Sequence, residues 1–332
     1  MDIRNTRQLK TFAAERVANA PQEKHIVLIY GLILTALALA STGARFVLGM
    51  RMENLGGLSN MAARSTLSTI QSMLPLVQSM VTMCLTLGYT AAMVRIARGQ
   101  YSSPNTLRLG FDRFWVLMRC AVFQGLYYTS LTLLSVYVAS SIFVMSPWSA
   151  AFTEQAAPIL SETSLLNPTA TLDEAAVMSL LPTMIPMFII VLIVVCLLVV
   201  PTVFRFRMVN YILIDKPGIG AMAALRESRK MMRGNCLKLL KLDLSYWWYF
   251  LILLAASMVG NADLWLPLIG VELNMNPDFA YFFFFTLYLA LQLAVYYFLR
   301  NPMETTYALV YDSLKPEEPQ TNGVVLGNIF QM

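Results

Sequence analysis

An all-α polytopic membrane protein with six transmembrane helices is the fold that this sequence predicts, and three observations predict it. The first is composition. With 57% hydrophobic residues, 13% charged residues and a mean hydropathy of +0.59 over 332 residues, the chain has more apolar surface than a soluble core can bury and too little charge for a soluble exterior. The second is the length of its apolar runs. Crossing about 30 Å of hydrocarbon takes roughly 20 mostly apolar residues, and 26–44, 73–94, 114–145, 181–204, 244–260 and 279–299 meet that need. Backbone polar groups find no water in that layer, so each run is expected to be helical.

The third observation is where the basic residues fall. Five precede the first span, four follow the second (Arg95, Arg98, Arg108 and Arg113), nine follow the fourth and two lie after the sixth. The opposite side holds three, Arg45, Arg51 and Arg64, and Arg119 sits inside the third span. Twenty against three places both termini in the cytoplasm by the positive-inside rule. The net charge of +5 is therefore an orientation signal, and no nucleic-acid partner is expected.

The N-terminal segment, 1–25, reads as a cytoplasmic amphipathic helix over 6–19. Leu9, Phe12, Ala13 and Val17 recur at helical spacing, Asn5 with Gln8 forms a capping pair, and Pro21 ends the run. No small-residue cleavage site precedes the first span, so that span is expected to be an uncleaved anchor. The first four spans lie within 26–204. In the second, Gln71, Gln78, Thr82, Thr86 and Tyr89 form a polar side that either lines a cavity or hydrogen-bonds to other helices. The loop 146–179 carries four acidic and no basic residues and reads as a small extracytoplasmic cap or a disordered stretch. Pro182, Pro186 and Pro201 punctuate the fourth span, and Pro201 is expected to bend the helix where the chain leaves the membrane.

The segment 205–243 carries nine Lys/Arg against three acidic residues. Asp215 can cap a helix whose first turn contains Pro217, and Gly234-Asn235 suits a left-handed C-terminal cap. At 100° per residue, Met231, Ala224, Ser228, Ala221, Met232 and Leu225 share one arc, and Arg229, Arg233, Arg226 and Lys230 share the opposite one. Glu227, three residues before Lys230, is placed for a weak surface ion pair. Four cations beside an anionic leaflet contribute on the order of 1 kcal/mol each. Arg226, Arg229, Lys230 and Arg233 are thus either topology determinants or the candidate site for anionic lipid headgroups or a membrane-protein partner. Spans five and six fall within 244–300, with Tyr246-Trp247-Trp248 as an interfacial belt. In 301–332, Pro302 is expected to break the sixth helix after Arg300-Asn301. Met303, Tyr307, Val310, Tyr311 and Leu314 then make one face of a further amphipathic helix, and a disordered tail follows Lys315.

Reaction chemistry is not visible. Cys84, Cys120 and Cys196 fall within spans and Cys236 on the cytoplasmic side, so no disulfide is expected. His25 is the lone histidine, no ligand set for zinc clusters, and no nucleophile elbow, phosphate-binding glycine loop or H-E-x-x-H motif occurs. The apolar runs contain no Asp or Glu, which disfavours a proton relay. No cofactor or metal is expected.

A resemblance accompanies this reading. Pro201, Arg205, Arg207-Met208, Tyr211-Ile212-Leu213, Asp215, Pro217, Ala224, Glu227-Ser228-Arg229, Met232, Gly234-Asn235 and Leu244-Ser245 together resemble the central signature of an uncharacterised family of bacterial integral membrane proteins. That family is known only as domain of unknown function 975. Leu107, Gly110-Phe111 and Phe114, and Pro302 with Tyr311, are similar to its flanking patterns. The chain departs from the family where Thr202 stands for a glycine. More distantly it resembles the membrane domain attached to some glycerophosphodiester phosphodiesterases. The resemblance implies six spans in a bacterial plasma membrane and no known substrate. The function expected is a non-enzymatic, membrane-organising or accessory protein with an inner-leaflet binding surface. A transporter or transporter subunit is the alternative, and an intramembrane lipid-modifying enzyme the second alternative.

Overall fold

The computed structural model describes residues 6–55, 60–162, 174–267, 270–271 and 276–315, so the expected cap at Asn5 and the tail beyond Lys315 lie outside the described residues. Every regular element among those residues is helical. In chain order these are α1 (Thr6–Ala18), α2 (Glu23–Asn54), α3 (Met61–Ala97), a 3-10 turn (Pro104–Arg108), α4 (Leu109–Asp112), α5 (Phe114–Val144), α6 (Trp148–Glu162) and α7 (Glu174–Phe206). There follow α8 (Val209–Asp215), α9 (Ala221–Met232), α10 (Cys236–Leu244), α11 (Trp247–Gly260), α12 (Ala262–Trp265), α13 (Pro277–Val295), a π turn (Tyr296–Arg300) and α14 (Asn301–Leu314).

Five helices are long and apolar enough to cross a membrane, and α10 with α11 make a sixth if that bent pair is one span. The fifth span expected over 244–260 falls almost wholly on α11, and the 59° bend between α10 and α11 lies at its start. At 1.5 Å per residue α11 alone rises only about 21 Å, short of a ~30 Å hydrocarbon core. The outward side chains fit a lipid solvent. Along α7, Phe188, Ile189, Leu192, Ile193 and Leu197 are exposed, an apolar surface that water would not tolerate on so long a helix. Three expectations shift. α7 continues through Pro201 to Phe206, so the turn that follows it comes at Arg207–Met208 and Pro201 lies inside the helix. Thr202, next to that proline, donates its hydroxyl to the Leu198 carbonyl at 3.2 Å. Part of the acidic loop is helical as α6, packed through Phe152 edge-on to Phe143 at 6.0 Å.

The third shift concerns Pro302, which does not break the helix. The π turn carries α13 into α14, and Pro302 falls in the first turn of α14, where a missing backbone N–H is tolerated.

The chain divides into two compact units, Met1–Phe114 with Lys241–Met332, and Trp115–Leu240. In the first, the C-terminal part of α3 is enclosed: Cys84, Leu87, Tyr89, Ala92, Met93 and Ile96 are buried. α1 covers it through Leu9, Ala13 and Val17, and α14 packs against both α1 and α3. Because α14 lies between them, it buries Thr305, Thr306 and Ala308 as well as the expected Met303, Tyr307, Val310 and Tyr311. Gly88 and Gly110 permit a backbone-to-backbone approach on the other flank. A Cβ on Gly110 would overlap the Cys84 carbonyl, and one on Gly88 would overlap the backbone of Leu107.

At the centre of this unit Arg300, only 13% exposed, lies among aromatic rings. Its guanidinium is 5.1 Å from the ring centroids of Tyr30 and Tyr89 and 4.4 Å from that of Tyr296. It pairs with Glu304 at 3.7 Å. Tyr30 and Tyr89 stack at 4.5 Å, and the Tyr89 hydroxyl donates to Asn301 Oδ1 at 2.6 Å. Asn301 in turn donates to the buried carboxylate of Glu23. Desolvated cation–π contacts contribute up to about 2 kcal/mol or more, so this cluster fastens α2, α3 and α14 to one another. Two peripheral ties complete the unit. Arg98 grips Asp312 with two hydrogen bonds, at 2.6 and 3.0 Å. Lys10 donates to the Ser245 carbonyl at 2.7 Å and sits 3.9 Å over the Tyr246 ring, at the break between α10 and α11. Partial desolvation lowers the Lys10 pKa from its ordinary value.

Two substitutions test this packing. Arg300→Gln strands Glu304 and is expected to destabilise the detergent-solubilised protein by about 3 kcal/mol, read as a lowered melting temperature. Gly110→Ala forces its segment away from Cys84 and is expected to cost about 2 kcal/mol in the same assay.

Candidate functional site

The second unit builds its site from the basic segment upward. α9 starts at Ala221, with Gly220 extended before it, and not at Pro217, because Pro217 and Gly218 form a turn in which the Ile219 N–H donates to the Lys216 carbonyl at 3.1 Å. Its C-terminal end agrees with the residue types there: Gly234 adopts φ +81°, a left-handed conformation available cheaply only to glycine. The two arcs separate as their spacing predicts. Ala221, Ala224, Leu225, Ser228 and Met232 are buried, while Arg226, Arg229, Lys230 and Arg233 are exposed. The buried arc packs on α7 and α8, and Ser228 donates its hydroxyl to the carbonyl of Arg205 at 2.8 Å. That bond joins α9 to the end of α7 and fixes Arg205 beside the cationic arc.

A cavity of about 410 Å³ results, lined by Arg205, Arg229, Lys230, Arg233, Gly234 and Cys236. Three of the four expected site residues meet there, and Arg205 joins them. Among the described residues, no carboxylate pairs with any of the four cationic side chains. Glu227, expected near Lys230, is instead bound to Lys216 at 2.6 Å, which removes the closest acid on α9 from the cationic arc. Four like charges around one cavity repel, and an anion with several acceptor oxygens is the complement that relieves the repulsion. Arg226, the fourth expected residue, lines a separate apolar cleft of about 390 Å³ with Phe123, Leu126, Tyr127, Ser130, Phe206, Met222 and Leu225. Arg229 lines both spaces.

Arg205 was legible only as one of nine basic residues; its place in the cavity lining goes with the bond from Ser228 to its carbonyl. The apolar cleft had no sequence signal beyond ordinary span hydrophobicity. The polar side of the second span resolves mainly into helix contacts. Gln78 accepts a 2.7 Å hydrogen bond from Ser41, and Thr86 lies 3.2 Å from the Tyr30 hydroxyl while its own hydroxyl donates to the Thr82 carbonyl at 2.8 Å. Gln71, whose amide is 3.5 Å from the Arg45 carbonyl, lines a cleft of about 300 Å³ with Thr42, Arg45, Phe46 and Tyr281. Among the described residues no group of three or more His, Cys, Asp or Glu side chains converges; the chemistry gathered at the site is cationic.

Removing the hydroxyl that holds Arg205 in place tests the construction. Ser228→Ala is expected to destabilise the protein by about 1 kcal/mol and to speed amide hydrogen exchange across Ala221–Met232, measured by mass spectrometry.

A family model described as a protein of unknown function, DUF975, matches residues 17–318. No curated protein and no solved structure gives a significant match, so the distant likeness to phosphodiesterase membrane domains gains no support from them.

Proposed function

The chain belongs to the DUF975 family of proteins of unknown function, and from its basic cavity we propose a membrane-organising or accessory protein that captures anionic phosphate headgroups at the inner leaflet. The observation that carries this reading is the convergence of Arg205, Arg229, Lys230 and Arg233 on one space with no neutralising acid among the described residues. Guanidinium groups bind phosphate oxygens in a bidentate way, and three of the four cations are arginines. The volume is that of a small ligand site, which suits a headgroup better than a flat topology signal would require. In this reading α10 and α11 together form the fifth of six spans, both termini are cytoplasmic in a bacterial plasma membrane, and α1 and α14 lie on the cytoplasmic side. The count of twenty basic residues against three supports that orientation. No chemical step is assigned to the site, and the binding partner is membrane lipid.

A second reading, a transporter or transporter subunit, is favoured by one observation, the cleft at Gln71 and Arg45. It calls for a polar path through the helices, whereas Gln78 and Thr86 are engaged in contacts within and between α2 and α3.

The test of the first reading is lipid selectivity. Native mass spectrometry of the detergent-purified full chain is expected to show phosphatidylglycerol bound at least about tenfold tighter than phosphatidylcholine, given contributions near 1 kcal/mol per cation. Replacing Arg205, Arg229, Lys230 and Arg233 together by Gln is expected to abolish that preference without changing the melting temperature in phosphatidylcholine. Equal binding of the two lipids by the wild type would falsify the reading.

A further inference from the structure

We infer that the basic cavity and the apolar cleft are the two halves of one site, which holds a single anionic phospholipid by its phosphate and by an acyl chain. The inference rests on the headgroup reading above and adds to it recognition of the chain. Its geometry comes from α9. Met222, Arg226, Arg229 and Lys230 follow i, i+4, i+7 and i+8, an exposed stripe on the helix that Arg233 continues at its C-cap, with Leu225 at the border of the buried arc. The stripe is apolar at its start and cationic at its end, with the change of character around Arg226, and it extends about 16 Å at 1.5 Å per residue. An amphiphile laid along it meets hydrocarbon first and phosphate-binding groups last.

The facing walls show the same division. Phe123, Leu126, Tyr127 and Ser130 follow i, i+3, i+4 and i+7 on α5, so one face of that helix lines the cleft. On α7 the consecutive residues Arg205 and Phe206 part company: Arg205 lines the cavity and Phe206 the cleft. Tyr127 packs edge-on to Phe206 at 5.6 Å, a contact that links α5 to α7 along the cleft. Arg229 stands at the seam and lines both spaces. A surface that merely adsorbs to an anionic leaflet needs no apolar cleft joined to its cations, because screening charge at headgroup level requires only exposed side chains. A site that takes one lipid molecule needs both.

Cys236 supplies a reporter inside the cavity. Cys84 and Cys120 are buried, and Cys196 can be changed to Ala, leaving the partly exposed Cys236 thiol for a charged maleimide. The experiment titrates the detergent-purified Cys196→Ala protein with dioleoyl phosphatidylglycerol, dihexanoyl phosphatidylglycerol and inorganic phosphate, reading affinity by native mass spectrometry and occupancy by protection of Cys236. The long-chain lipid is expected to bind at least about tenfold tighter than the short-chain one and to slow alkylation. In a Leu126→Gln/Met222→Gln variant that long-chain preference is expected to disappear while short-chain binding persists. If the double variant loses its native melting transition, the comparison of long and short chains on the parent protein decides the matter alone. Equal affinities for the two chain lengths overturn the two-part site and leave the headgroup reading standing. Protection of Cys236 by inorganic phosphate as strong as by the long-chain lipid also overturns it, in favour of a soluble phosphate ligand. Failure of every anion to bind or protect overturns both.

Discussion

A largely desolvated guanidinium, that of Arg300, is the group on which the packing of the first unit depends. Arg300 is ionised at any accessible pH, so burying it demands acceptors, and the chain supplies the faces of Tyr30, Tyr89 and Tyr296 together with the carboxylate of Glu304. Those partners come from α2, α3, the π turn and α14. Satisfying one charge therefore sets the mutual position of helices far apart in sequence. The adjoining chain from Tyr89 through Asn301 to Glu23 does the same for a buried carboxylate. A burial cost of several kcal/mol per ion makes any arrangement that omits these partners unfavourable.

The second unit treats its cations in the opposite way. Arg205, Arg229, Lys230 and Arg233 are gathered by backbone geometry and by the Ser228 bond, and among the described residues no carboxylate pairs with them. Charges intended only to hold a fold are paired, as Arg300 is with Glu304 and Arg98 with Asp312. Uncompensated charges facing a cavity are what an anion site requires, and this contrast within one chain is what supports the proposed anion site.

Much of the helical content was legible, and the misses share a cause. The buried and exposed arcs of α9 and the inward face of α1 follow from a 3.6-residue period, because one side of each helix packs and the other does not. Pro302 misled because its rule applies to helix interiors, while the π turn places it in a first turn. The helix end was placed too early at Pro201 for a similar reason: a proline removes one hydrogen bond, and the rest of the α7 ladder carries the helix on to Phe206. α14 looked like a surface helix with one apolar face, yet α1 and α3 cover it on two sides, and Thr305 and Thr306 are buried as a result.

By itself the sequence determined the solvent this protein lives in, the helical class, the approximate spans and the two-faced character of the basic helix. Each of these depends on local composition or on neighbours within a few turns, where periodicity carries the information. Only the tertiary structure decided that Arg300 belongs to a tyrosine cluster rather than to the tail's topology charges. It likewise decided that Arg205 completes a cavity from which Arg226 is absent, and that an apolar cleft adjoins it through Arg229. Those outcomes depend on side chains brought together from α2, α3 and α14, or from α5, α7 and α9. Spacing along a chain says nothing about which helices meet; only the requirement to pair buried charge and to close-pack the helices settles it.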